Sequence, residues 1–309
     1  MKAERLGRAW ALLVLGRPLH LAGGALFYTL GLVVAGYSGA PLLREAALLG
    51  LLTVMAAQLM NHYSNDYYDF AADQMNPTPT QWSGGSRVLP SGILPPQAAL
   101  WAALSFGALA LLLIGFASAA SLAPLVSGGV LLASTGLAWV YSGPPLYLHR
   151  RGWGEPVGAV VVPGLTALCG FVLQMGHLER MILLAVTPLC LMQFTMLVAV
   201  SIPDEQGDRA VGKQTLAVLL GPQRAAWLMA ATTVLAYLSL PLLWRLGLPG
   251  LVAMAPLAAL PIGLWIILLV FRGAWANPAN WNALGFWSIG QVVASGGMLL
   301  LGFLGAAAA

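Results

Sequence analysis

The chain has 309 residues, 59% of them hydrophobic and only 8% charged, with a mean hydropathy of +0.83. A water-soluble domain carries roughly 25% charged residues, so this composition excludes one. Fourteen basic and ten acidic residues leave a net charge of +4. The basic residues are scattered over short polar stretches without a stripe or binding motif, so no nucleic-acid partner is expected.

In chain order, residues 1–16 join a basic start to a short apolar patch from Trp10 to Leu15. Arg17-Pro18 follows without a small-residue cleavage pattern, so this segment reads as an interfacial helix on an anionic membrane surface rather than a signal peptide. A membrane-crossing helix takes about 20 apolar residues. Runs of that kind fall at 18–37, 42–63, 97–117, 120–141, 156–176, 179–201, 225–244, 249–271 and 284–306. The expected fold is all-α, a polytopic bundle of about nine transmembrane helices forming one domain over 1–309. With the N-terminus cytoplasmic, that side receives Lys2, Arg5, Arg8, Arg17, Arg87, Arg150, Arg151, Arg209, Lys213, Arg224 and Arg272, leaving Arg44, Arg180 and Arg245 outside. This asymmetry follows the positive-inside rule and puts the C-terminus outside. Cytoplasmic loops are expected at 64–96 and 202–224.

Six of the ten acids fall in two clusters within those loops. In the first, Asn61, Asn65, Asp69 and Asp73 are each four apart, with Asp66 beside them, so on a helix their oxygens share one face. In the second, Asp204 and Asp208 are also four apart and follow the sixth run on the same side. Like charges at that spacing repel and are costly near a bilayer, so a cation is expected between them. Oxygen donors from two helices suit magnesium, which usually takes one or two carboxylates together with phosphate oxygens. The clusters follow the second and sixth runs, an arrangement compatible with two related four-helix units plus a ninth helix. His20, His62, His149 and His177 lie in separate segments and read as interfacial or packing residues. Glu155 reads equally as a first-turn carboxylate favoured by the helix dipole and as a site residue. Cys169 and Cys190 lie in apolar runs without metal spacing, and Met175, Met192 and Met196 read as core packing.

The pair Asn65-Asp66-x-x-Asp69-x-x-x-Asp73 and Asp204-x-x-x-Asp208 resembles the hallmark motifs of the UbiA-type superfamily of intramembrane aromatic prenyltransferases. The resemblance covers most of the chain, including Arg17-Pro18 at the first run. The stretch Asp208-Arg209-Ala-Val-Gly212-Lys213-Gln-Thr215-Leu-Ala-Val-Leu-Leu-Gly221 is similar to the dihydroxynaphthoate polyprenyltransferases of menaquinone synthesis. Ser83-Gly-Gly-Ser-Arg87, Tyr141-Ser-Gly-Pro-Pro and Gly154-Glu155-Pro156 are similar to that branch too. Pro203 departs from it, since relatives often carry a polar or basic residue there.

The resemblance implies a magnesium-dependent transfer of a polyprenyl group from its diphosphate to an aromatic acceptor within a membrane, a bacterial plasma membrane in the first instance. It implies Asn65, Asp66, Asp69, Asp73, Asp204 and Asp208 as metal-site residues, and Asp69, Asp73, Asp204, Asp208 and Lys213 as catalytic. Arg17, Arg87 and Lys213 become diphosphate contacts, and Tyr67 and Tyr141 line the acceptor or allylic-cation position. The implied acceptor is 1,4-dihydroxy-2-naphthoate, with 4-hydroxybenzoate, homogentisate or haem as alternatives. A secondary transporter is the non-enzyme alternative, but its acids should lie near the membrane midplane rather than at one face.

Overall fold

In a computed structural model the backbone is described for residues 2–308 and side chains for 7–307. Met1 and Ala309, and the side chains of Lys2, Glu4 and Arg5 counted above, lie outside the described residues. The helices run α1 Lys2–Leu15, α2 Pro18–Tyr37, α3 Arg44–Met75, α4 Pro96–Ala119, α5 Pro124–Ser142, α6 Gly154–Met175 and α7 Arg180–Ser201. Short α8 Glu205–Ala210 and α9 Leu216–Leu220 follow, then α10 Pro222–Arg245, α11 Gly250–Phe271 and α12 Trp281–Ala308. Among the described residues, nine segments are long and apolar enough to cross a membrane.

Proline opens α2, α4, α5 and α10, where its fixed φ suits the first turn and its missing N–H is not needed. Inside α6, Pro163 removes a helical hydrogen bond, and the backbone widens into a π-type turn over Val160–Leu165. The largest core gathers Phe27, Leu30 and Val34 from α2, Phe171 from α6, Leu189 and Met192 from α7, and Leu299 and Phe303 from α12. Met175 and Met196 pack against it, as their composition suggested. Outward-facing Leu111, Leu112, Phe116, Leu235, Leu238 and Phe271 are exposed, forming an apolar exterior that a bilayer satisfies and water does not.

Two features depart from the sequence reading. The helix α3 does not stop at 63 but continues through the first acidic cluster to Met75, so the loop spans 76–95 rather than 64–96. Neither Gly nor Pro interrupts 61–75, and Pro77 then forces Asn76 into an extended conformation that ends the helix. The segment α1 is also more than a surface helix. Its Ala11 and Leu15 are buried against Tyr63 of α3, Ala99 and Ala103 of α4, and Val88, Leu89 and Leu94 of the 76–95 loop. It meets α2 at Arg17, which takes a left-handed conformation (φ 49°, ψ 62°).

Candidate active site

The last three turns of α3 carry Asn65, Asp69 and Asp73 on one face, and the turn from α7 into α8 carries Asp204 and Asp208. The two meet because of Gly207. A Cβ there would lie 2.7 Å from the Ala72 carbonyl oxygen and 3.0 Å from the Asn76 backbone, so only glycine lets α8 dock on the end of α3. The resulting cavity, about 530 Å³, is lined by Asn65, Asp69, Asp73, Asp204 and Asp208 together with Arg17, Arg87, Lys213, Tyr141, His149 and Glu155. The 76–95 loop forms part of its wall. There Gly85, at φ +70°, leaves open the space that the Asp73 carboxylate fills, with Asp73 Oδ2 2.0 Å from where a Cβ would stand.

Internal donors hold the carboxylates. The Lys213 ammonium donates to Asp69 Oδ2 at 2.9 Å and lies 3.2 Å from Asp208 Oδ1. His149 sits between Asp69 Oδ1 (2.8 Å from Nε2) and the Tyr141 carbonyl (2.7 Å from Nδ1). Asn65 Nδ2 donates to Asp69 Oδ2 at 3.0 Å and to Ser142 Oγ at 3.1 Å. Asp204 accepts from Asn76 Nδ2 at 2.7 Å and from the Gly84 amide at 3.1 Å. Burial, reinforced by the charge of Asp208, pushes the Asp204 carboxyl up to about 7. Burial raises Asp208 as well. For Lys213 burial acts to lower the ammonium, but Asp69 and Asp208 outweigh it and hold the group above its ordinary value.

Most of the residues singled out in the sequence come together here, with three corrections. Asp66 does not line the cavity. It is one position off the Asn65–Asp69–Asp73 face, about 100° around the helix. There it is buried, paired with the Arg17 guanidinium and accepting from the Ser86 amide at 3.1 Å and the Ser86 hydroxyl. It anchors Arg17 and the 76–95 loop, one step behind the residues that line the cavity. Tyr67 is two positions around and faces away, packing edge-on against Tyr68 at 4.9 Å and into the apolar cluster beneath α1. His149 is no plain packing residue, since it bonds Asp69 inside the cavity. The available signal was its place just beyond the Tyr141-Ser-Gly-Pro-Pro segment. His20 also reaches the cavity rim, while His62 bonds the Gly16 carbonyl and His177 pairs with Glu179. Glu155 fulfils both of its readings, standing in the first turn of α6 and lining the cavity.

Among the described residues, no three His, Cys, Asp or Glu side chains converge tightly enough to hold a metal by themselves. The donor set facing the cavity is nonetheless all oxygen, the kind a hard divalent cation takes when ligand phosphate and water complete its shell.

The UbiA prenyltransferase family matches residues 25–290. The digeranylgeranylglyceryl phosphate synthase of Halobacterium salinarum is 28% identical over 272 residues, covering 87% of this chain and 89% of that protein. The 1,4-dihydroxy-2-naphthoate octaprenyltransferase of Bacillus subtilis is 27% identical over 235 residues, covering 76% and 72%. A UbiA homologue from Archaeoglobus fulgidus, solved with DMAPP and Mg2+, superposes with a TM-score of 0.58 at 17% identity, over 93% of this chain and 98% of that one, and so shares the fold. A match across most of the chain, on a nine-span bundle whose two acidic motifs face one cavity, makes this protein a member of the UbiA prenyltransferase family and an integral membrane transferase.

Proposed function

We propose that the protein transfers a polyprenyl group from an allylic diphosphate to 1,4-dihydroxy-2-naphthoate, giving demethylmenaquinol, the reduced form of demethylmenaquinone. The observation that carries prenyl transfer is the pair of acidic faces across one cavity with Lys213, Arg17 and Arg87 on its walls. Asn65, Asp69, Asp73, Asp204 and Asp208 would hold Mg2+, the ion bound by the Archaeoglobus fulgidus homologue. Bound there, the ion draws off negative charge from the diphosphate as it leaves.

The chain's own residues supply the rest. Arg17 and Arg87 offer planar forks suited to phosphate oxygens, and Lys213 offers a point charge that exchanges Asp69 and Asp208 for the diphosphate. Tyr141 presents a ring face to the electron-poor allylic carbon. The cavity walls limit water that would otherwise capture that carbon. The acceptor assignment draws its support from the motifs around Lys213 and Glu155 and from the Bacillus subtilis relative. A second reading has its own support in the Halobacterium salinarum relative, namely transfer to the hydroxyl of a glyceryl phosphate ether lipid.

Mass spectrometry of products separates the two. Purified protein is given Mg2+, geranylgeranyl diphosphate, dihydroxynaphthoate and geranylgeranylglyceryl phosphate. A prenylated naphthoquinone formed with loss of carbon dioxide supports the first reading. A diether phosphate replaces it with the second, and absence of any product from either acceptor overturns both.

A further inference from the structure

We propose that Glu155 recognises the acceptor, its Oε2 receiving the hydrogen of an acceptor hydroxyl. The inference rests on the prenyl-transfer reading, which calls for a hydroxyl-bearing acceptor whether that is a naphthol or a glyceryl alcohol. Glu155 belongs to neither acidic motif, and is 4% exposed on the cavity wall. Its Oε1 accepts from the Leu216 amide at 2.9 Å and so holds the start of α9. Its Oε2 is buried and has no partner.

One oxygen is enough for the Leu216 amide. A second carboxylate oxygen buried without a donor is uphill, and a donor on the occupant of the cavity relieves it. The nearby cations are engaged elsewhere, Lys213 with Asp69 and Asp208, and Arg17 with Asp66. A neutral O–H fits what remains. A smaller recess of about 160 Å³ adjoins the main cavity, sharing Arg17, Asn65, Tyr141 and Leu197 with it and lined further by Asn61 and by the apolar walls of Leu137, Ala138, Val161 and Val162. These apolar walls suit the body of an acceptor whose hydroxyl turns toward Glu155.

The step balances for either acceptor. For either acceptor the allylic C–O bond breaks and its electron pair leaves on the diphosphate. An alcohol passes its O–H proton to Glu155 Oε2 and bonds to the allylic carbon through oxygen. A naphthol passes its O–H proton to Oε2 and bonds through ring carbon; the ring–carboxylate bond then breaks, CO2 leaves, and the ring oxygen takes the proton back from Oε2.

The test compares wild type with Glu155→Gln, which keeps one oxygen for the Leu216 amide and turns the other into NH2. Acceptor kcat/KM should fall about 10- to 100-fold, as for a lost hydrogen bond to a charged group, while donor KM stays put. With dihydroxynaphthoate, which bonds through ring carbon, wild type should lose a similar factor on the mono-O-methyl ether, and Glu155→Gln should no longer distinguish hydroxyl from ether. Unchanged acceptor kinetics in the variant overturn the proposal, as does a rise in donor KM matching the acceptor loss. Dihydroxynaphthoate and the glyceryl ether alcohol are run in parallel to identify the source of the hydroxyl. If wild type transfers to neither, prenyl transfer itself falls and the proposal with it. Should thermal melting show that Glu155→Gln is unfolded, Glu155→Asp must give the same acceptor-only loss, and full activity in that variant overturns the assignment.

Discussion

Lys213 answers two carboxylates with one ammonium, and this fixes what its removal does. In Lys213→Ala, Asp69 keeps His149 while Asp208 loses its nearest cation. The donor KM should rise tenfold or more and the acceptor KM much less, a split that steady-state kinetics with each substrate varied will read. The reverse split would move Lys213 out of the diphosphate site. Asp69→Ala and Asp208→Ala should each lower turnover at least 100-fold while the protein still elutes as a folded species in detergent. Wild-type turnover in either would remove that residue from the metal set. Asp204 carries a pH signature of its own. Its folded pKa of about 7 lies above its ordinary value of 3.8, so the stability it contributes is full below about pH 4 and lost as pH climbs through 7. Melting temperature in a divalent-free buffer should therefore fall by a few degrees between pH 5 and 8, and Mg2+ should restore more of it at pH 8 than at pH 5. An identical slope in Asp204→Ala would assign the effect elsewhere.

Among the elements, the docking of α8 on α3 is the joint that makes a site from two motifs. Gly207→Ala places a methyl 2.7 Å from the Ala72 carbonyl, where the neighbour is helix backbone and cannot step aside cheaply. A loss of about 1–3 kcal/mol, the range for overpacking, and a larger loss of activity than of melting temperature are expected from paired thermal and product assays. Much of this was legible in sequence. Nine apolar runs and two sets of acids four apart read through because helix period and membrane length are local properties of the chain. Asp66 and Tyr67 were misread because a motif written as letters hides the helical phase, which turns neighbours in sequence to different faces. His149 escaped because its partner, Asp69, is 80 residues away, and no local pattern encodes that contact. Glu155 stayed open for a similar reason, its meaning depending on Leu216 across the fold.

Over the whole molecule, all the charged chemistry gathers at one end of a bundle whose flanks are apolar. From the distribution of Lys and Arg we propose that this end faces the cytoplasm. Single-cysteine variants at exposed Gln81 and Arg245 test this, with an impermeant thiol reagent expected to label Cys at 245 in intact cells and Cys at 81 only after lysis. The opposite pattern inverts the topology. On the proposed function, gathering the acids at an end rather than at mid-depth would let the diphosphate stay near water while the prenyl tail lies among lipid-facing helices.

The left-handed turn at Arg17 bears on the order of events as the chain is made. A non-glycine residue in that conformation is uphill by about 1–2 kcal/mol, and here the Arg17 guanidinium is held by Asp66, a residue 49 positions later. While only the first span has emerged, Pro18 already bars a straight continuation of α1 into α2, but nothing yet holds Arg17 in the left-handed bend. The bend belongs to a later moment, when α3 has arrived and brings Asp66 into reach. The N-terminal segment therefore takes its final place after the second span is inserted, closing over α3 and the loop that follows it.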